Sequence, residues 1–125
     1  MTRYLIVDDN EHYAAAARDL LGRAGVTVVG IAATSAEALE LAAALRPDAI
    51  LVDVDLGEES GFDLVMLLTA ETTAPVVLIS AHSELEFADL IAASPAIGFL
   101  SKSELSAVAV AELIDTARDR NHGST

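Results

Sequence analysis

The sequence predicts an α/β fold, an open doubly wound parallel sheet with helices on both faces. Three observations carry this. Five short apolar runs, Tyr4–Val7, Val26–Ile31, Ala49–Val52, Val76–Ile79 and Ala96–Leu100, are rich in Val, Ile and Leu without polar alternation, as strands buried on both faces are. Longer stretches with helical spacing of apolar residues separate them. The runs also begin roughly every 20–27 residues, the period of a strand–helix unit joined to its parallel neighbour by a right-handed crossover.

The elements follow in order. After the first run, residues 11–24 place Tyr13, Ala16, Ala17, Leu20 and Leu21 on one stripe and stop before Gly25, at a C-cap position. The second run leads into a helix over 35–45, introduced by Thr34 with Glu37 three positions on, the spacing of a capping box. Pro47, Pro75 and Pro95 stand ahead of the third, fourth and fifth runs, where a strand has not yet begun to need every donor. Residues 62–69 make the third helix. Ser83 and Glu86 repeat the capping spacing ahead of Phe87, Leu90 and Ile91 in the fourth. The last helix spans 104–118, with Leu105, Val108, Leu113 and Ile114 apolar. No linker or low-complexity tract interrupts the chain, so one domain over residues 1–120 is expected, followed by a short frayed tail at 121–125.

Composition narrows the function. A chain of 125 residues fits one domain and can bury a sizeable core without staples. The absence of cysteine excludes disulfide frameworks, zinc ribbons, iron–sulfur sites and thiol catalysis. A formal net charge of -13 repels nucleic acid and anionic membrane. Glu37, Glu40, Glu58 and Glu112 fit solvated faces. No secretory pattern opens the chain, and no apolar stretch approaches the ~18 residues of a membrane span. A cytoplasmic protein that contacts neither nucleic acid nor membrane is expected. Six of the seven basic residues are arginines, leaving Lys102 as the sole lysine.

The chemistry sits where the runs end. The first is followed by Asp8-Asp9, the third by Asp53, the fourth by Ser80 and the fifth by Ser101-Lys102. In a parallel sheet all these ends lie on one edge, where open α/β folds bind ligands. The second run ends in Ala32-Ala33 and contributes nothing, as an edge strand outside the site would. Three converging carboxylates repel one another unless a cation lies among them, and an all-oxygen set favours Mg²⁺ or Mn²⁺. A lysine and a hydroxyl beside that metal can neutralise a transferring phosphoryl group, and a carboxylate can itself be the nucleophile. Taken singly, each residue has an ordinary alternative. Asp8, Asp9 or Asn10 could cap the first helix, Asp53 and Ser80 could start turns, and Lys102 could be a surface lysine. Those alternatives do not explain why all of them fall at one edge.

In these residues the chain resembles the receiver domain of two-component response regulators, from about Arg3 to Arg120. The matching positions are Asp8-Asp9, Asp53, Ser80-Ala81 and Gly98-Phe99-Leu100-Ser101-Lys102. The resemblance implies a flavodoxin-like (βα)5 sheet in the order 2-1-3-4-5. It also implies that Asp53 accepts a phosphoryl group from a sensor histidine kinase. Mg²⁺ would be arranged by Asp8, Asp9, Asp53 and the backbone carbonyl of Asp55, and phosphoryl oxygens would be bound by Ser80 and Lys102. Phe99 would be the aromatic whose rotamer follows phosphorylation. The output would be a downstream protein partner or a homodimer, formed through the face of the fourth helix, fifth strand and fifth helix. His82 and Asp55 occupy positions that the resemblance links to dephosphorylation, although an exposed loop residue is an equal reading of His82. The chain departs from the family in the loop Leu56–Gly61, which lacks the usual Met-Pro pair, adds Glu58 and Glu59, and is expected to be more mobile and more acidic. It also has Ser103 where a proline, often cis, usually follows the lysine, so a cis bond is not expected. A stand-alone receiver is the expectation. The alternatives are a receiver excised from a DNA-binding regulator, a pseudo-receiver that has lost phosphorylation, and a haloacid-dehalogenase-like phosphatase built on Asp53-Val54-Asp55. The pseudo-receiver is disfavoured because every reacting group is present. The phosphatase is disfavoured because its acidic pair follows the lysine, whereas Asp8-Asp9 precedes Asp53.

Overall fold

The computed structural model describes residues 2–123. Five long strands, β1 (Thr2–Val7), β2 (Val26–Ala32), β3 (Ala49–Asp53), β4 (Val76–Ser80) and β5 (Gly98–Ser101), form one parallel sheet. Their spatial order is β2-β1-β3-β4-β5, as expected, with β2 at an edge. The helices are α1 (Glu11–Arg23), α2 (Ser35–Leu45), α3 (Gly61–Glu71), α4 (Ala88–Ala93) and α5 (Ala107–Gly123).

Side chains alternate along each strand, so the sheet feeds two cores. Leu5, Val7, Ile50, Val52 and Leu78 face the side covered by α2, α3 and α4. Tyr4, Ile6, Leu51, Val77 and Ile79 face α1 and α5. Every residue of β3 and β4 is buried, and each fully buried Val, Leu or Ile contributes about 1.5–3 kcal/mol. Nothing on the central strands can tilt toward solvent, which fixes where the strand ends lie.

The caps explain the starts of two helices. Asn10 accepts the Tyr13 N–H at 3.1 Å, so Asn10 caps α1 and leaves Asp8 and Asp9 free. Thr34 Oγ1 accepts the Glu37 N–H at 3.2 Å, and Glu37 reaches back to the Ala33 N–H at 3.3 Å. Gly25, with φ of +89°, turns the chain after α1.

Elsewhere the structure corrects the sequence reading. On α1 the buried positions are Ala14, Ala17 and Leu21, while Ala16 and Leu20 are exposed. At 100° per residue the sheet-facing centre is one position further round than the apolar residues alone suggested. Ser83 makes no capping bond, because the Glu86 N–H bonds the Ser83 carbonyl instead in a 3₁₀ turn, Glu84–Phe87. That turn delays α4 to Ala88. Likewise Lys102–Glu104 forms a 3₁₀ turn, and α5 starts at Ala107 with Ser106 Oγ accepting the Ala109 N–H. In α5 Val110 is buried and Val108 is exposed. The helix runs to Gly123, so residues 121–123 of the expected tail are helical, and 124–125 lie outside the described residues. The loop expected to be mobile folds back as a small antiparallel ladder, Asp55–Leu56 against Glu59–Ser60. Its Leu56 is buried, and Glu59 accepts the Ser35 N–H at the start of α2. Among the described residues no helix is long and apolar enough to cross a membrane.

Candidate functional site

Because the strands are parallel, β1, β3, β4 and β5 end at one edge. Asp8 follows β1, Asp53 and Ser80 end β3 and β4, and Lys102 follows β5. Val7 and Val52 point into the α2–α3–α4 core, so alternation sends Asp8 and Asp53 to the opposite side, toward α1. Gly61 lets the start of α3 press against this edge. A Cβ there would overlap the Asp53 carbonyl and lie 2.7 Å from Val54 Cα. The Gly61 N–H donates to the Val54 carbonyl at 2.9 Å.

Ligand atoms of Asp8, Asp9 and Asp53 lie within 4.8 Å of one another. Asp8 and Asp53 are buried, whereas Asp9 is exposed at the rim. The Lys102 ammonium reaches into the group, 2.8 Å from Asp8 Oδ2 and 3.1 Å from Asp53 Oδ2. The Asn10 N–H donates to Asp8 Oδ1 at 2.9 Å, and the Asp55 N–H to Asp53 Oδ1 at 3.1 Å. A cleft of about 360 Å³ opens beside them, lined among others by Asp9, Asp53, Asp55, Gly57 and Lys102.

Burial pushes the Asp53 carboxyl up to about 6, and the Asp8 charge adds to this. The Asp55 N–H and Lys102 pull the other way without prevailing. For Lys102, burial favours the neutral amine, but hydrogen bonds and charge from Asp8 and Asp53 outweigh it and hold the ammonium above its ordinary value. One cation therefore serves two buried carboxylates. Asp8 Oδ2 is buried, with the Lys102 ammonium 2.8 Å away and no further donor on it among the described residues. A buried oxygen in that condition, within an all-oxygen trio, fits a hard divalent cation such as Mg²⁺ or Mn²⁺.

The remaining expected residues stand further out. Asp55 is exposed, with its carboxylate 3.7 Å from His82 Nε2, and His82 Nδ1 lies 3.4 Å from Glu86. Ser80 is fully buried, and its Oγ accepts the His82 N–H at 3.0 Å rather than touching the carboxylates. Register pairs Leu78 with Phe99 and Ser80 with Ser101, so Ser80 and Phe99 share one face of the sheet. Phe99, the aromatic whose rotamer is expected to follow phosphorylation, lies inside at 8% exposure, in the core that Phe87 and Ile91 complete.

Tyr13 was placed by sequence only on an apolar stripe, yet it touches the site. Its hydroxyl donates to the Lys102 carbonyl at 3.1 Å, and its ring lies 4.5 Å from the Lys102 ammonium. Burial, with the charges of Asp8 and Asp53, pushes the phenol up to about 12, so it remains a donor. The signal was its phenolic tip, four residues after Asp9 on a stripe otherwise made of Ala and Leu.

The family model of the response regulator receiver domain matches residues 4–115. A protein-glutamate methylesterase/protein-glutamine glutaminase of Archaeoglobus fulgidus is 37% identical over 78 residues, 62% of this chain and 22% of that one. The chain spans about half or less of the length of the curated relatives it matches. Among solved structures, the signal receiver domain of a modulated diguanylate cyclase from Desulfovibrio desulfuricans G20 superposes with TM-score 0.81 at 28% identity, covering 100% of this chain and 99% of that one. A response regulator protein from Burkholderia pseudomallei, with a phosphorylated aspartic acid, calcium ion and citrate, gives 0.82 at 27%, covering 100% and 74%.

Proposed function

The chain belongs to the response regulator receiver domain family, and from that premise we propose that it is a phosphorylation-driven switch of two-component signalling with Asp53 as the phosphoacceptor. The observation that carries this is the Lys102 ammonium bridging Asp53 and Asp8 inside the three-carboxylate group at the sheet edge. The phosphorylated aspartic acid of the Burkholderia pseudomallei relative supports the same reading.

In the proposed step an oxygen of ionised Asp53 attacks the phosphorus of a phosphohistidine on a sensor kinase. The P–N bond breaks, its electron pair stays on the imidazole, and an acyl phosphate forms on Asp53. Mg²⁺ or Mn²⁺, held by Asp8, Asp9, Asp53 and the Asp55 backbone carbonyl, supplies neutralisation of the phosphoryl charge when bound. Lys102, now paired with Asp53, shifts to a phosphoryl oxygen. The Ser80 hydroxyl accepts from His82, which leaves its own proton available to donate to another.

Ser80 shares a sheet face with Phe99, which makes the face of α4, β5 and α5 the route to a downstream protein partner or a homodimer. The chain acts in the cytoplasm as a signalling domain spanning residues 1–120, catalysing only its own phosphotransfer and dephosphorylation. It makes no nucleic-acid contact, whether it stands alone or serves a DNA-binding regulator. Acetyl phosphate with Mg²⁺ should add the mass of one phosphoryl group to wild type and none to Asp53→Asn. Equal labelling of Asp53→Asn would overturn the assignment.

A further inference from the structure

We propose that Tyr13 is a positioning residue for the phosphoryl chemistry, holding Lys102 at both ends so that its ammonium meets Asp53 from a fixed direction. The inference rests on the receiver reading above and extends it to a residue outside the acidic edge.

Lysine is a compact charge on a flexible four-carbon stem, so its direction must come from what surrounds it. The turn that carries Lys102 continues into Ser103 and Glu104, with no proline to stiffen it. Tyr13 supplies the restraint from 89 positions away in the chain. Its hydroxyl bonds the Lys102 carbonyl at 3.1 Å and fixes the backbone end. Its ring lies 4.5 Å from Nζ, within the reach of a cation–π contact, and fixes the charged end. Tyr13 is itself fixed, because its N–H is the donor to the Asn10 cap. A line of restraint therefore runs from the start of α1 through Tyr13 to Lys102, and from there to Asp8 and Asp53. Phenylalanine at this position would keep the face and lose the donor. Leucine would fill apolar space and supply neither.

Lys102 is the sole lysine, so protein labelled with ε-¹³C lysine gives one signal. In wild type the ring should displace the attached protons upfield. Tyr13→Phe should keep that displacement, and Tyr13→Leu should lose it. With acetyl phosphate at saturating Mg²⁺, Tyr13→Leu should be phosphorylated on the order of 3- to 30-fold more slowly, the range from an exposed to a desolvated cation–π contact, with Tyr13→Phe in between. Mg²⁺ affinity, set by Asp8, Asp9 and Asp53, should stay at the wild-type value in both variants, whereas a packing defect would lower it together with the rate. The proposal is overturned by a wild-type rate in Tyr13→Leu, by an unmoved lysine signal there, or by parallel losses of rate and Mg²⁺ affinity. A wild type that takes no phosphoryl group would sink the receiver reading and this role with it. The lysine signal still reports the geometry, because it needs no phosphoryl donor.

Discussion

Asp53 is held in a state that costs the folded protein something once its carboxyl is ionised. Its carboxyl is pushed up to about 6, by burial first and by Asp8 second. A raised carboxyl favours the folded state while protonated, since folding then strands no charge. That contribution is complete below the unfolded value of about 4 and is lost as pH rises to about 6. Metal-free wild type should therefore lose stability across this window in thermal melts, and Asp53→Asn should lack that component. Identical pH profiles would contradict the account. A divalent cation bound among the three carboxylates would relieve the same strain. Mg²⁺ should raise the melting temperature by mass action, and Asp9→Ala should abolish the rise while melting no lower than wild type without metal. An undiminished shift would place the cation elsewhere. That Asp8, Asp53, Ser80 and Lys102 lie at one sheet edge was legible in the sequence because each directly follows or ends an apolar run. Tyr13 was not, because periodicity scores its ring as apolar and is blind to its hydroxyl.

At the scale of elements, the site depends on how closely α3 enters beneath β3. Gly61 has no room for a methyl group, and the obstructing atoms are the backbone of Asp53 and Val54, which cannot step aside as a side chain could. Gly61→Ala should cost about 1–3 kcal/mol, as overpacking does, and should slow phosphorylation by displacing Asp53. Urea denaturation and phosphorylation by acetyl phosphate measure the two effects, and an unaffected variant would show that the approach is not needed. The strands were legible because their burial on both faces leaves unbroken Val, Ile and Leu runs. Helix starts were legible where a cap carries them, as at Asn10 and Thr34. They were not at Ser83, where a 3₁₀ turn uses the backbone carbonyl in place of the hydroxyl. The ladder after Asp55 was missed because its anchor, Glu59 on the Ser35 N–H, is a contact between distant segments.

Across the whole molecule, charge is distributed unevenly. From Pro47 to Ser101 there is no lysine or arginine, so the surface of α3 and α4 is acidic, and Lys102 is the first cation after it. The single lysine lies 14% exposed between two buried carboxylates. Removing one partner of such a pair typically costs about 3–5 kcal/mol, so Lys102 serves the stability of the edge as well as its proposed chemistry. The site follows from the sheet order: parallel strands bring Asp8, Asp53 and Lys102 together and leave Ser80 at the same edge, though the chain spreads them over 94 positions. The most direct test of the central claim is where the phosphoryl group is found. Wild type phosphorylated by acetyl phosphate with Mg²⁺ is reduced with borohydride, which converts an aspartyl phosphate to homoserine, and its peptides are read by mass spectrometry. The account predicts homoserine at position 53 alone, dependent on the divalent cation. Homoserine at Asp8, Asp9 or Asp55, or an unmodified position 53 in labelled protein, would contradict it.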